Sequence, residues 1–219
     1  FTVRLGLDGF AALQARVQAD LTPGRAASRI RQPAEDDLLG RAVAVAAAAV
    51  QDTFDRVDGA SFDAAIALLV GAPQVFVLAA DASSGIGQQF ATELAMLRPG
   101  VVNVQGSPVA VGRSLALVAT RDVVVTLDLP RYDRWLLAAV EQAHRDGARI
   151  IALTNSALSP LADHAEITFT VTSESAGPFD SHVAALALLE SLVVGAAAKL
   201  RRSATGRLAR IEASWKDAR

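Results

Sequence analysis

The sequence contains no cysteine, which excludes disulfides and thiol chemistry and agrees with a reducing cytoplasm. Aromatic residues make up only 5% of its 219 positions, so a core has to be built mainly from Ala, Val, Leu and Ile. Neither sign of charge is in excess: 21 Lys and Arg face 23 Asp and Glu, a formal net charge of -2. Such a balance leaves no chain-wide electrostatic footprint for nucleic acid or an anionic membrane, and DNA contact would need a local patch or residues outside this sequence. No apolar run reaches the roughly 18 to 20 residues that span a bilayer. The longest candidate, residues 42–50, is Ala-rich and flanked by charges, and reads as a buried helix. There is no signal-peptide pattern, and the opening Phe1-Thr2-Val3-Arg4 is expected to continue from a segment upstream.

What is present is an alternation of two patterns. Residues 75–80, 101–105, 122–128, 149–154 and 166–172 are short β-branched runs, most of them continuously apolar, as strands covered on both faces of a parallel sheet are. Helical spacing separates them: Phe90, Leu94 and Leu97 share one face, and Trp135, Leu136, Ala139, Val140 and Ala143 another, with Gly147 as a C-cap. Strand–helix alternation predicts an α/β fold, a three-layer doubly wound five-stranded parallel sheet joined by right-handed crossovers. Ahead of it, residues 34–57 predict a long Ala-rich helix, and 61–70 a second one N-capped by Ser61. Residues 22–33, with Pro23, Gly24, Ser28 and Pro33, have linker composition.

Ligands of open α/β sheets bind beyond the carboxyl ends of the strands, which directs attention to three loops. After the first strand comes Asp81-Ala82-Ser83-Ser84-Gly85-Ile86-Gly87. Ser83 and Ser84 at a helix N-terminus suit a phosphate or a sugar hydroxyl; equally, one of them is simply an N-cap. After the third strand, Asp128 and Arg131 offer a carboxylate and a guanidinium at one sheet edge, the Arg suited to bidentate anion binding. The alternative is a capping ion pair of Arg131 with Asp128 or Asp133, and Asp133 reads as structural. After the fourth strand, Thr154 and Asn155 are ligand candidates, whereas Ser159 before Pro160 reads as a helix start. His182, at the head of a long apolar helix over about 181–200, is either a proton-transfer group or a hydrogen-bonding cap. His144 and His164 read as surface residues.

No two histidines or clustered carboxylates have metal-ligand spacing, so no metal is expected. Gly85-Ile86-Gly87 lacks the third glycine of a dinucleotide fingerprint, and no acidic residue ends the second strand. No cofactor is expected either.

Taken together, these segments resemble the SIS (sugar isomerase) domain of the RpiR/MurR family of bacterial transcription regulators. The match is carried by Val75-Phe76-Val77-Leu78 leading to Ser83, by Leu97-Arg98-Pro99-Gly100-Val101, and by Arg121-Asp122-Val123-Val124-Val125. Its most specific part is Ala152-Leu153-Thr154-Asn155-Ser156 with Leu158-Ser159-Pro160-Leu161-Ala162. Near the start, Leu5-Gly6-Leu7-Asp8-Gly9-Phe10 with Leu13 and Val17 resembles the turn after the recognition helix of that family's helix-turn-helix domain. The resemblance implies a remnant of that DNA-binding domain over 1–21 and a linker over 22–33. A linker or oligomerisation helix over 34–59, the SIS domain over 60–200 and a C-terminal helix over 201–219 complete the division. Two departures stand out. Where sugar-phosphate-binding SIS domains have Gly-x-Gly after the first strand, this sequence has Ala79-Ala80-Asp81, and Asp81 would repel a phosphate. Where they have a Ser-x-Ser-Gly-x-Thr phosphate loop, it has Asp128-Leu129-Pro130-Arg131-Tyr132-Asp133, without a hydroxyl cradle and with Pro130 lacking an N–H.

The implied function is an effector-sensing, non-enzymatic module. A sugar phosphate or other small polar metabolite would bind at the sheet edge and control DNA binding by an upstream domain. An aldose–ketose sugar-phosphate isomerase is the first alternative, for which Glu174, His182 or Asp128 would have to serve as base. A ligand-free dimerisation domain is the second. A homodimer or tetramer is expected in each case, because the helices over 34–57 and 181–200 carry more apolar surface than one sheet face covers. In the C-terminal segment, Leu208, Ile211 and Trp215 form a narrow stripe for packing on the domain or on a partner.

Overall fold

The computed structural model describes residues 37–129 and 132–217. In chain order the elements are α1 (Leu38–Asp55), α2 (Gly59–Gly71), β1 (Val75–Ala79), a 3-10 turn (Asp81–Ser83) and α3 (Ser84–Leu97). There follow β2 (Val101–Val104), α4 (Pro108–Leu115), β3 (Val123–Asp128), α5 (Arg134–Arg145) and β4 (Arg149–Thr154). A 3-10 turn (Ala162–His164), β5 (Ile167–Thr170), α6 (Val183–Lys199) and α7 (Arg201–Asp217) complete the order. The five strands pair in parallel in the order β2-β1-β3-β4-β5. This is the doubly wound sheet the alternation predicts. The chain runs one way from β1 to β2 and then back past β1 to β3 and on to β5, so the order reverses beside β1 and the crevice for ligands opens above β1 and β3.

Period-two alternation divides the strand side chains between two cores. Val75, Val77, Val123, Val125, Ile151 and Leu153 face α2, α3 and α6, where Leu69, Phe90, Leu94, Leu188 and Leu192 cover them. Phe76, Leu78, Val124, Ile150 and Ala152 face α4 and α5, against Val111, Leu115, Leu136 and Val140. Fully burying one such side chain contributes roughly 1.5–3 kcal/mol, whereas a half-exposed pair such as Arg145–Glu141 contributes less than about 1 kcal/mol. The two apolar layers therefore hold the sheet. They also fix which face each residue at the strand ends enters.

Several boundaries differ from the sequence expectations. The helix expected over 34–57 runs from Leu38 to Asp55, capped by Asp37, whose side chain accepts from the Gly40 N–H at 2.8 Å; residues 34–36 lie outside the described residues. Ser61 is not the cap of α2. Asp58 caps it, accepting from both the N–H and the hydroxyl of Ser61 at 2.8 and 2.9 Å, which starts the helix at Gly59. Helix α4 was not anticipated, although Ser107 accepting from the Ala110 N–H, with Pro108 at the first turn, is a standard start signal. The segment after Ser159 forms a 3-10 turn instead of a helix. Gly147 does end α5, with φ +89°.

Helix α6 is absorbed by the domain. Its Ala184, Ala185, Leu188, Leu189, Leu192 and Ala196 are buried between α1, α2, α3 and the sheet, so most of its apolar surface is satisfied within the chain. Helix α1 is different. Only Ala49 and Thr53 are buried, and its second half is fastened to the chain after β5. There Thr172 donates its N–H to Thr53 Oγ1 at 2.9 Å and its hydroxyl to Asp52 at 2.6 Å. Leu38, Leu39 and Val43 on its first half are exposed. On α7, Leu208 packs on the core and the Arg207 guanidinium donates to the Ala95 carbonyl at 2.9 Å, while Trp215 is exposed. No single helix among the described residues is long and apolar enough to cross a membrane.

Candidate functional site

The loop leaving β1 enters the crevice first. Ser83 ends the 3-10 turn and stands at the N-cap position of α3, yet its side chain makes no capping bond. It is buried, and its Oγ lies 3.1 Å from Nε2 of His182. His182 occupies the N-cap position of α6, also without a side-chain capping bond. Capping, the alternative considered for both residues, is therefore not what either side chain does. Burial lowers the imidazole's pKa below its usual value, with the Asp180 carboxylate pulling the other way. A neutral ring leaves Nε2 free to accept the Ser83 hydroxyl. Ser84, the first residue of α3, is partly exposed beside them.

The Gly85-Ile86-Gly87 signal also finds its explanation here. A Cβ on Gly87 would lie 2.7 Å from the Ala79 Cβ, whereas one on Gly85 would meet nothing. Gly87 thus serves the close packing of α3 on β1.

The second group forms where β3 and β4 end. Asp128 and Thr154 are partners in the strand register, and alternation sends both toward the α4–α5 layer, on the opposite face from α3 and α6. Asp128 is 4% exposed. Its Oδ2 accepts the Asp133 backbone N–H at 2.7 Å, which makes Asp133 a structural partner through its backbone. Burial pushes the Asp128 carboxyl up to about 7, against the Asp133 N–H bond and with the Asp133 carboxylate adding to the rise.

Tyr132 closes this group. It holds a left-handed φ of 45°, rare for a bulky residue and typical of positions fixed by their surroundings. Its phenol donates to Asn155 Oδ1 at 2.6 Å, tying the loop after β3 to the loop after β4. Burial raises the phenol's pKa, opposed by the neighbouring hydroxyls of Thr154 and Ser159, and Asp128 adds to the rise. With the phenol's bond directed at Asn155, the fully buried Thr154 hydroxyl has no well-oriented partner.

Of the residues singled out in the sequence, the structure pairs Ser83 with His182 and gathers Asp128, Thr154 and Asn155 around Tyr132. The two groups enter from opposite faces of the sheet. Arg131 and Pro130, and the side chain of Asp81, lie outside the described atoms. Tyr132, Thr126 and Ser159 were missed as members of the polar group. The single tyrosine of the chain, just beyond a strand end, was an available signal, as was Thr126, two residues before Asp128 in an otherwise apolar strand.

The candidate bases do not converge. Glu174 lines a separate hollow with Ala42, Ala46 and Phe179, His182 is engaged by Ser83, and Asp128 lies across the sheet. The rings of His144 and His164 pack against each other at a tilt of 40°, centroids 5.3 Å apart. Among the described residues no group of three or more His, Asp or Glu is arranged to hold a metal ion.

Solved structures of similar architecture fit this picture. The sugar isomerase domain of the RpiR transcription factor from Sphaerobacter thermophilus superposes with a TM-score of 0.74 at 22% identity, covering 81% of this chain and 99% of that one. The Vibrio vulnificus NanR protein complexed with ManNAc-6P gives 0.73 at 18% identity, over 100% of this chain and 79% of that one. A putative sugar-phosphate isomerase from Listeria monocytogenes gives 0.65 at 16% identity, over 77% and 94%. At these identities the likeness concerns the fold. No curated protein sequence matches the chain. The model of the SIS domain matches residues 68–195, more than half of the sequence, and the chain belongs to the SIS domain family.

Proposed function

We infer that this SIS domain is the effector-sensing part of an RpiR-like transcription regulator, which binds a small polar metabolite at the carboxyl edge of its sheet and does no catalysis. The observation that carries this reading is the polar group at the topological crevice. Ser83 and His182 stand on one side of β1 and β3, and Asp128, Tyr132, Thr154 and Asn155 on the other. They supply donors and acceptors to a ligand, while the three candidate bases Glu174, His182 and Asp128 stand apart from one another. Ser84 and Arg131 complete the proposed set from the two flanking loops. Isomerases and regulators share this fold, but the RpiR transcription factor and NanR superpose with TM-scores of 0.74 and 0.73 against 0.65 for the putative isomerase, which supports regulation. DNA contact would come from a helix-turn-helix domain whose tail residues 1–21 resemble, with 22–33 as linker, 34–59 as a linking or oligomerising helix, 60–200 as the SIS domain and 201–219 as the C-terminal helix. The exposed Leu38, Leu39 and Val43 of α1 support self-association through that helix.

A thermal-shift screen of sugars and sugar acids, each with and without its phosphate, tests the reading. A ligand at 100 times its Kd adds about 2.7 kcal/mol of stability. A response without turnover in a coupled aldose–ketose assay supports sensing. Turnover favours the isomerase, and silence across the panel leaves only a dimerisation domain.

A further inference from the structure

The segment 172–182, which joins β5 to α6, is anchored at both ends. At one end α1 holds Thr172. The Thr172 N–H donates to Thr53 Oγ1 at 2.9 Å, and its hydroxyl donates to Asp52 at 2.6 Å and accepts from Arg56 at 3.2 Å. At the other end His182 faces the Ser83 hydroxyl at 3.1 Å. The two ends are also joined to each other, because the Ser181 N–H donates to the Ser173 carbonyl at 2.9 Å. Between them the Ser175 hydroxyl reaches the carbonyls of Gly177 and Phe179, so the intervening residues close into a compact loop.

A displacement of His182 therefore reaches α1 across one backbone hydrogen bond, from Ser181 to Ser173. The loop can move at little cost, since none of residues 172–182 belongs to either apolar layer. It also has somewhere to go. A hollow of about 330 Å³ lies between Ala42 and Ala46 of α1 and residues 174–179 of the loop. Phe179 at its rim is 70% exposed, and a closed arrangement would lay its ring on α1. An element with two arrangements is what coupling between sites requires. The trigger follows from hydrogen-bonding capacity. The Ser83 hydroxyl has one proton to donate, and a ligand oxygen that accepts it takes it from His182.

We propose that segment 172–182 is a strap that passes the state of the Ser83–His182 bond to α1. When an effector takes the Ser83 proton, the strap is released and α1, the helix that follows residues 1–36 in the chain, loosens. This rests on the sheet edge being an effector site. Thr172, Ser173 and Ser181 are positioning residues in this device and have no contact with the effector to make.

Amide hydrogen exchange followed by mass spectrometry on the whole chain tests this without a ligand, with Ser83→Ala standing in for the occupied state. Ser83→Ala is expected to speed exchange about fivefold over 173–182 and at least about twofold over 47–55 of α1, with α5 unchanged. Thr53→Val combined with Thr172→Val removes the hydrogen bonds between strap and α1. In that background Ser83→Ala is expected to act on the strap alone. Thr172→Val by itself keeps the bond to Thr53 Oγ1 and should reduce the α1 response without abolishing it, a milder background that serves if the double one folds poorly. The proposal is overturned by α1 exchange that ignores Ser83→Ala, or by a response that persists undiminished in both backgrounds. An equal rise in α5 marks global loosening and overturns it too. Such a failure leaves the sensing reading to the sugar screen, whereas a silent screen beside a responding α1 removes the effector and keeps the strap.

Discussion

The Ser83 hydroxyl lies 3.1 Å from Nε2 of His182, 99 residues further along the chain. The bond ties the loop leaving β1 to the head of α6, two elements that start at the same edge of the sheet. Because neither side chain caps its helix, Ser83→Ala is expected to cost only the net value of one hydrogen bond, about 1 kcal/mol, in urea denaturation. It also removes a donor that favours the neutral ring, so the His182 pKa should rise, as followed by NMR titration. A loss above about 2 kcal/mol with reduced helicity would point back to a capping role.

Asp128 links the site to pH. The native carboxyl holds its proton up to about 7, and its ordinary value is 3.8. Between those values the native state binds more protons than the unfolded chain, so stability is full below about pH 4 and falls as pH rises through 7. The gap between the two values sets a ceiling of about 4 kcal/mol. Asp128→Asn keeps an oxygen for the Asp133 N–H and should lose this slope, gaining on the wild type at pH 8 more than at pH 5. Parallel slopes in urea denaturation at the two pH values would show that Asp128 is ionised throughout.

His182 acts in the opposite sense. Its pKa is lowered by burial, so the stability it contributes is present above the ordinary histidine value of about 6.5 and is lost as pH falls below it. His182→Gln should flatten the acid side of the stability profile measured from pH 7 to 5. An unchanged acid limb would locate that proton uptake elsewhere.

How much of this could be read in the sequence depended on whether a signal was local. Runs such as Val123-Val124-Val125 carry their own strand propensity and their burial on both faces, and they placed all five strands to within two residues. The face on which a strand-end residue falls was equally local, since alternation from Val124 determines where Thr126 and Asp128 point. Whether Ser83 caps α3 was not, because its hydroxyl has a better partner in His182, brought there only by the completed sheet. The cap of α2 went to Asp58 because a carboxylate in extended backbone reaches two donors on Ser61 at once. Tyr132 was missed because its role depends on a left-handed backbone and on Asn155, neither of which a periodicity reveals.

Arg98, part of the Leu97-Arg98-Pro99-Gly100 segment, has a structural role of its own. It is 8% exposed and donates to the carbonyls of Leu69, Val70, Ala72 and Pro73 at the end of α2 and to that of Pro99. Burial lowers its pKa, but the carbonyl end of a helix favours a cation. Arg98→Met should cost about 2–4 kcal/mol, since it leaves several buried carbonyls without donors. Arg98→Lys should recover less than half, because an ammonium cannot reach the same fan of acceptors. A cost below about 1 kcal/mol for Met would show that water replaces the guanidinium.

Two glycines in helix interiors, Gly195 in α6 and Gly206 in α7, should respond oppositely to the same change. Replacing a helical glycine by alanine gains about 1 kcal/mol of propensity where space allows. At Gly206 a Cβ would meet nothing, so Gly206→Ala should stabilise by about that amount. At Gly195 a Cβ would lie 2.2 Å from Ile66 Cδ1 and 2.8 Å from Cγ1, at the close crossing of α6 over α2. Overpacking costs about 1–3 kcal/mol, which outweighs the propensity gain, and Gly195→Ala should be destabilising. Ile66→Val removes the Cδ1 that collides, so the double variant should be more stable than the sum of the two single effects, by about 1 kcal/mol or more. Strict additivity in urea denaturation would mean that Ile66 already yields by rotating away, and that the approach of α6 to α2 does not depend on this glycine.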